Sequence, residues 1–212
     1  MMKDLYVYGA GGMGREIFEL TGKINEREQR WNIRGYIDDG KTGLTEEGDL
    51  IFGGIDYLEG LSEVVDVVIG IADTKIKRRI VERLVRHHHI SFPTIVHPDA
   101  NISKNCTIKN GCIVTYGCTI ATKAILNEFV FINTGSAVGH DTLVGKYTTI
   151  MPAVNISGCC RVGEEVLFGT KATVIPGKKI SDRAVVGAGA VVFRDVPEAV
   201  TILGNPGKVF KF

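Results

Sequence analysis

From Ile102 to Val192 an apolar side chain stands at every sixth residue: Ile102, Ile108, Val114, Ile120, Leu126, Ile132, Val138, Val144, Ile150, Ile156, Val162, Phe168, Val174, Ile180, Val186 and Val192. Two residues before each runs a second lane of nearly uniformly small side chains. It begins at Ala100, Cys106, Cys112 and Cys118, passes through Ser136, Thr142 and Thr148, and ends at Ala184 and Ala190, with Lys178 as the exception. A spacing of two puts both lanes on one face of an extended chain, so each hexapeptide reads as a short strand with two inward side chains, followed by a turn. An α-helix cannot hold a six-residue register, and the hairpin turns of a flat sheet are missing. A parallel β-helix remains, in which three strands close one coil and residues eighteen apart stack at about 4.8 Å. Each buried aliphatic residue of the lane is worth ~1.5–3 kcal/mol, so the lane supplies a core that no single strand could make. The period leaves the hand of the coil open. Four of the five cysteines, Cys106, Cys112, Cys118 and Cys160, fall in the small lane and read as apolar filler.

The first 95 residues follow another rule. Leu5–Gly9 is a short buried strand, and Ile17, Leu20 and Ile24 recur at helical spacing in a helix from Gly12 to about Lys23. A second strand, Ile33–Ile37, ends in Asp38 and Asp39. A polar, glycine-punctuated loop follows, then a strand over Val64–Ile71 and a basic amphipathic helix from about Lys75 to Arg86. This βαβ alternation implies a small parallel sheet covered by helices, a Rossmann-like α/β domain over 1–95, with the all-β coil over 96–212. Gly9, Gly11 and Gly14 satisfy G-x-G-x-x-G between strand and helix. Too few strands precede the repeat for a full dinucleotide fold, so half a dinucleotide site is the most that fits. Bare backbone N–H groups at a helix start serve a nucleotide-sugar equally well, and the same glycines also serve close helix–strand packing.

The [small]-x-[Ile/Val]-Gly pattern of AVGHDT, LVGKYT and RVGEEV resembles the left-handed β-helix of the hexapeptide acyltransferases. With the opening YGAGGMGRE, the acidic pair after the second strand and the closing LGNPGKVF, the whole chain is similar to the nucleotide-amino-sugar N-acetyltransferases related to sialic acid O-acetyltransferases. The resemblance implies a homotrimer using acetyl-CoA as co-substrate and no metal. It also implies a nucleotide-linked amino sugar held by Gly11, Gly12, Met13, Asp38, Asp39 and Ala72. Family members often carry histidine where Met13 stands, and glycine-asparagine where Ala72 and Asp73 stand, so the nucleotide (UDP, dTDP or GDP) and the sugar stay open.

His140 lies in the outward turn lane, at GHD, as the only histidine of the repeat. A solvated turn histidine is the plain reading. The resemblance makes it the general base, with Asp141 raising its basicity, and imidazole suits proton removal near neutral pH. The column Pro152, Thr170 and Ala188, flanked by Gly169 and Gly187, is expected beside it as an open groove for a pantetheine arm. The matching acetyl-CoA contacts are Thr149, Thr170 and Ala188, and Asn133 is a candidate for orienting the sugar. His87, His88 and His89 read as a solvated helix end, and Cys159 and Cys160 lack a second pair at zinc spacing.

Near-equal acid and base counts give a net charge of +1, so no global field draws the chain to nucleic acid. No run approaches a membrane span and the start lacks a signal-like apolar stretch, which leads to an expectation of a cytoplasmic protein. The expected activity is acetyl transfer to a nucleotide-linked 4-amino-4,6-dideoxy sugar in surface-glycan synthesis. The rivals are O-acetylation of a sialic-acid-type sugar and a non-catalytic sugar-nucleotide-binding scaffold.

Overall fold

The computed structural model describes residues 2–210. Contacts divide the chain into two units: residues up to Ala72 with Ile76–Ile95, and Asp73–Lys75 with Val96 onward.

The first unit is a six-stranded sheet of order β3-β4-β2-β1-β5-β6. Its elements are β1 (Lys3–Tyr8), α1 (Gly12–Glu28), β2 (Trp31–Ile37), β3 (Gly43–Leu44), β4 (Leu50–Ile51), α2 (Ile55–Glu59), β5 (Val65–Ile69), α3 (Thr74–Leu84) and β6 (Ile90–Ser91). All neighbours pair in parallel except β3 with β4. β5 is buried along its whole length, as a strand covered on both faces must be. Asp66 within it is tolerated because Trp31 Nε1 (2.8 Å), Lys3 Nζ (2.6 Å) and Ser91 Oγ (2.6 Å) all donate to its carboxylate.

Three features depart from the sequence expectation. α1 runs to Glu28, beyond Lys23, because Asn25 organises its end: the Asn25 carbonyl accepts from Gln29 N–H and its Oδ1 from Trp31 N–H. The polar loop after Asp39 contains the β3–β4 hairpin, held at its tip by Thr45, which accepts from Asp49 N–H. The histidine run is only partly solvated, since His89 Nε2 meets Leu58 O at 3.0 Å and His87 Nε2 meets Glu59 Oε1 at 3.3 Å.

The second unit is a triangular coil of three parallel sheets. The first face holds Ile95–Val96, Ile113–Val114, Phe131–Ile132, Thr149–Ile150, Leu167–Phe168, Val185–Val186 and Thr201–Leu203, and Lys208–Phe210 closes it antiparallel. The second runs from Asn101–Ile102 to Val191–Val192 and the third from Thr107–Ile108 to Lys179–Ile180. Partners are eighteen apart, as in Thr119 with Ala137 and Ala137 with Asn155. From Val114 onward the aliphatic lane is buried, while Ile102 and Ile108 are only partly covered near the coil's start. Cys112, Cys118 and Cys160 are buried, and none of the five cysteines is in a disulfide.

Ser136, Thr142 and Thr148 bring hydroxyls into the small lane at three successive corners. Each donates to a carbonyl of the next coil, Met151 O, Ser157 O or Gly163 O, at 2.9–3.0 Å. Each also accepts an N–H from that coil, from Val154, Cys160 or Val166, at 3.1 Å. The coil that carries His140 is thus bonded to the next one from inside at every corner.

Candidate active site

The glycine turn lies where nucleotide sites form in open parallel sheets. β2 and β5 flank β1 on opposite sides, so the connections diverge at its carboxyl end and leave a crevice. The Gly9–Gly14 turn, Asp38–Asp39 and Gly70–Ala72 follow β1, β2 and β5 and meet that edge. The glycines do two jobs. A side chain on Gly14 would overlap the Gly9 carbonyl and one on Gly70 would lie 2.8 Å from Gly14 Cα, so these allow helix and strand to pack. Gly11 and Gly12 face open space. Gly11 is the N-cap of α1 and brings no side chain to it, which leaves an exposed, partly positive helix start for an anion.

Asp38 and Asp39 are less free than the sequence implies. Asp38 Oδ2 accepts from Ala10 N–H (2.8 Å) and Oδ1 from Gly40 N–H (2.9 Å), so it braces the glycine turn. Asp39 accepts from Tyr8 OH (2.6 Å) and from Ile55 N–H at the start of α2 (2.9 Å). Burial, then this hydrogen bond, push the Tyr8 phenol far above its ordinary value, keeping it a donor. A carboxylate has about four acceptor positions, so each retains capacity for a ligand. Lys41, which the sequence reading passed over, donates from Nζ to Ala10 O at 2.9 Å across the same turn.

In the coil, His140 and Asp141 occupy the corner between the second and third faces. Asp141 adopts the left-handed conformation, φ 57°, which asparagine and aspartate tolerate well. That turn folds its side chain back onto its neighbour, and His140 Nδ1–H donates to Asp141 Oδ2 at 2.8 Å. A carboxylate only accepts, so the Nδ1 proton leaves Nε2 with the lone pair. The backbone is fixed from both sides: Asp141 N–H donates to Thr122 O (3.1 Å) and Cys159 N–H to His140 O (2.8 Å). Nε2 lies over Gly158, where a Cβ would come within 2.5 Å of it. A side chain on Gly139 would in turn overlap the Gly158 nitrogen. Gly158 was missed in the sequence, although its place eighteen after His140 marks it.

The structure corrects two expectations. His140 is not the only histidine of the coil: His97 lies in its first turn, buried, with Nδ1 accepting from Asp99 N–H at 3.0 Å. The column Pro152, Thr170 and Ala188 does not stand beside His140. It forms the corner between the first and second faces, one whole face away, because the turn at 151–154 follows a first-face strand and the turn at 139–142 a second-face strand. The small residues along His140's own corner are Thr122, Gly158 and Pro176. Thr170 and Ala188 are exposed, and no acceptor among the described residues takes their N–H groups. Gly169 allows this, since a side chain there would lie 2.5 Å from Ala188 N. Thr149 is fully buried, so its side chain is out of a ligand's reach within one chain. Asn133 is also buried and its Oδ1 accepts from Thr134 N–H at 2.7 Å, holding its own turn.

Comparison with known proteins agrees with this architecture. Residues 4–84 match the PglD N-terminal domain family and residues 160–194 the hexapeptide repeat of succinyl-transferase. The GDP-perosamine N-acetyltransferase of Escherichia coli O157:H7 is 27% identical over 203 residues, 95% of this chain and 83% of its own. The acetyltransferase domain of PglB from Neisseria gonorrhoeae FA1090 superposes with a TM-score of 0.91 at 29% identity, covering 98% of this chain and 100% of that one. PerB from Caulobacter crescentus, in complex with CoA and GDP-perosamine, superposes at 0.87 with 28% identity, over 100% of this chain and 99% of that one. The likeness also sets the hand that the period left open, and the coil is a left-handed β-helix. Fold, repeat and both matched segments agree: the chain carries a PglD-type N-terminal domain and a hexapeptide repeat, and is similar along nearly its whole length to GDP-perosamine N-acetyltransferase and the PglB acetyltransferase domain.

Proposed function

We propose that this protein transfers the acetyl group of acetyl-CoA to the amine of a nucleotide-linked 4-amino-4,6-dideoxy sugar, in the synthesis of a bacterial surface glycan. The observation that carries the reading is the His140–Asp141 pair, with Nδ1 engaged at 2.8 Å and Nε2 left as the base. The amine attacks the thioester carbonyl while Nε2 takes its proton. The oxyanion is met by a backbone N–H, for which Gly158, adjacent to Nε2 and unobstructed by Gly139, is the candidate. Collapse expels the CoA thiolate, which takes the proton back from the imidazolium. The thioester is already activated, so alignment and proton removal are the main demands.

The nucleotide end is assigned to Gly11, Gly12, Met13, Asp38, Asp39 and Ala72. Acetyl-CoA is assigned to the Thr170 and Ala188 corner, whose outward N–H groups suit a chain of amide carbonyls. That corner and His140 are one face apart in a single chain, so a complete site takes His140 from one subunit and the groove from a neighbour. A homotrimer of coils packed side by side about a parallel threefold axis meets this requirement. No helix among the described residues is long and apolar enough to cross a membrane. The use of acetyl-CoA favours the cytoplasm as its place of work, where that co-substrate is at hand and thiols stay reduced.

The test mixes the protein with acetyl-CoA and GDP-, UDP- and dTDP-linked 4-amino-4,6-dideoxy sugars, following thiol release and product mass. GDP-perosamine comes first, because two of the similar proteins act on it or bind it. One acetyl group gained by a single member is the expected result. Thiol release only with a sialic-acid-type sugar moves the assignment to O-acetylation, and no release with any acceptor leaves the scaffold reading.

A further inference from the structure

We propose that His140, Asp141 and Cys159 form a binding site for a thiophilic divalent metal ion such as Zn2+, and that its occupation switches off acetyl transfer. The regulatory half rests on the function proposed above; the binding half does not. Ligand atoms of these three side chains all lie within 4.8 Å of one another. Cys159 is exposed, is not used by the acetyl-transfer steps, and is the one cysteine outside the inward lane.

The coil creates this juxtaposition. Cys159 is eighteen residues after Asp141 and repeats its left-handed conformation, φ 60° against 57°, so the two side chains leave successive coils in the same direction. Its N–H is bonded to His140 O at 2.8 Å, which fixes the thiol against the histidine. Gly158 contributes no side chain between them. Tetrahedral zinc with ordinary Zn–N, Zn–O and Zn–S lengths spaces its ligand atoms by about 3.3–3.6 Å. All three side chains are exposed and can close the remaining gap by rotation. Nitrogen, carboxylate and thiolate together suit zinc and its borderline neighbours better than calcium or magnesium. Three protein ligands leave a fourth position for water or a free thiol.

The consequence for catalysis follows from imidazole chemistry. A neutral ring has one lone pair, so coordination through either nitrogen leaves the other protonated, and no base remains. Binding releases the Cys159 thiol proton and no electron is exchanged.

The experiment titrates Co2+ into the purified full-length protein and follows the thiolate-to-cobalt charge-transfer absorption. One equivalent per chain with that band is expected, and Zn2+ should abolish it by displacement. Cys159→Ser should lose the band, bind the metal about tenfold or more weakly, keep normal turnover without metal, and resist zinc. The wild type should lose turnover as zinc fills the site and regain it on chelation. Absence of the band, or its persistence in Cys159→Ser, overturns the site. Full occupancy with undiminished turnover overturns the switch. Cobalt binding with no acetyl transfer by metal-free protein on any acceptor overturns the function proposed above and leaves the metal site standing.

Discussion

Asp141 illustrates what a single backbone angle can decide. Neighbouring side chains on an extended chain usually diverge, so from sequence Asp141 acts on His140 only through its field unless the turn folds it back. The left-handed turn at φ 57° folds the carboxylate back to make the 2.8 Å bond that orients the ring. Gly158 completes the arrangement by what it lacks. Its φ is not in the left-handed region, and the three atoms nearest to an added methyl group all belong to the His140 ring. Gly158→Ala should therefore leave thermal stability unchanged or slightly raised. A ring displaced by about 1 Å should cost about a hundredfold in kcat. Melting curves and steady-state kinetics on one preparation check both, and a variant that is fully active would show that the ring position does not matter.

At the scale of the element, the coil is held by its lanes and by the hydroxyls set among them. Thr142 both donates to Ser157 O and accepts from Cys160 N–H, directly below the His140 turn. Thr142→Val keeps the shape and leaves two buried backbone groups without a partner, a loss of about 1–3 kcal/mol. Chemical denaturation should record that loss, with kcat falling because the turn loosens. A corner ladder adds a pH dependence. Glu128 accepts from its own N–H and faces Lys146 and Lys109, each at 3.5 Å, which holds its carboxyl below the ordinary range. Its folded value is depressed, so its stabilisation is complete above the unfolded value of about 4.3 and is lost as pH falls through the lower folded value. Melting temperatures should favour the wild type over Glu128→Gln at neutral pH and converge as the pH falls through the depressed folded value. A gap that stays constant would mean the ladder contributes nothing through charge. The hydrophobic lanes were legible in the sequence because their period is strict. The β3–β4 hairpin and α2 were not, because both are short and rest on tertiary bonds such as Asp39 to Ile55 N–H.

For the whole molecule, the separation of His140 from the Thr170–Ala188 corner makes the subunit arrangement testable. His140→Ala chains retain an intact groove, and Ala188→Trp chains retain the base while blocking the groove. Each should be nearly inactive alone, the first by ~10²–10⁴-fold. After unfolding and refolding together in equal amounts, roughly a quarter of the sites should draw both intact parts from different chains, and activity should return to that extent. No recovery, with mixed trimers demonstrated by mass, would mean that each chain builds its site alone. The sequence by itself determined the coil, its three faces, the sheet-and-helix unit before it and the identity of the outward histidine, because side-chain periodicity and glycine spacing are local properties of the chain. Only the tertiary structure decided which corner each candidate occupies. A six-residue register says that side chains point outward, and outward residues of successive coils come together only when they differ by about eighteen and so share a corner. By that rule Cys159 joins Asp141 and Gly158 joins His140, while Ala188 belongs to another corner.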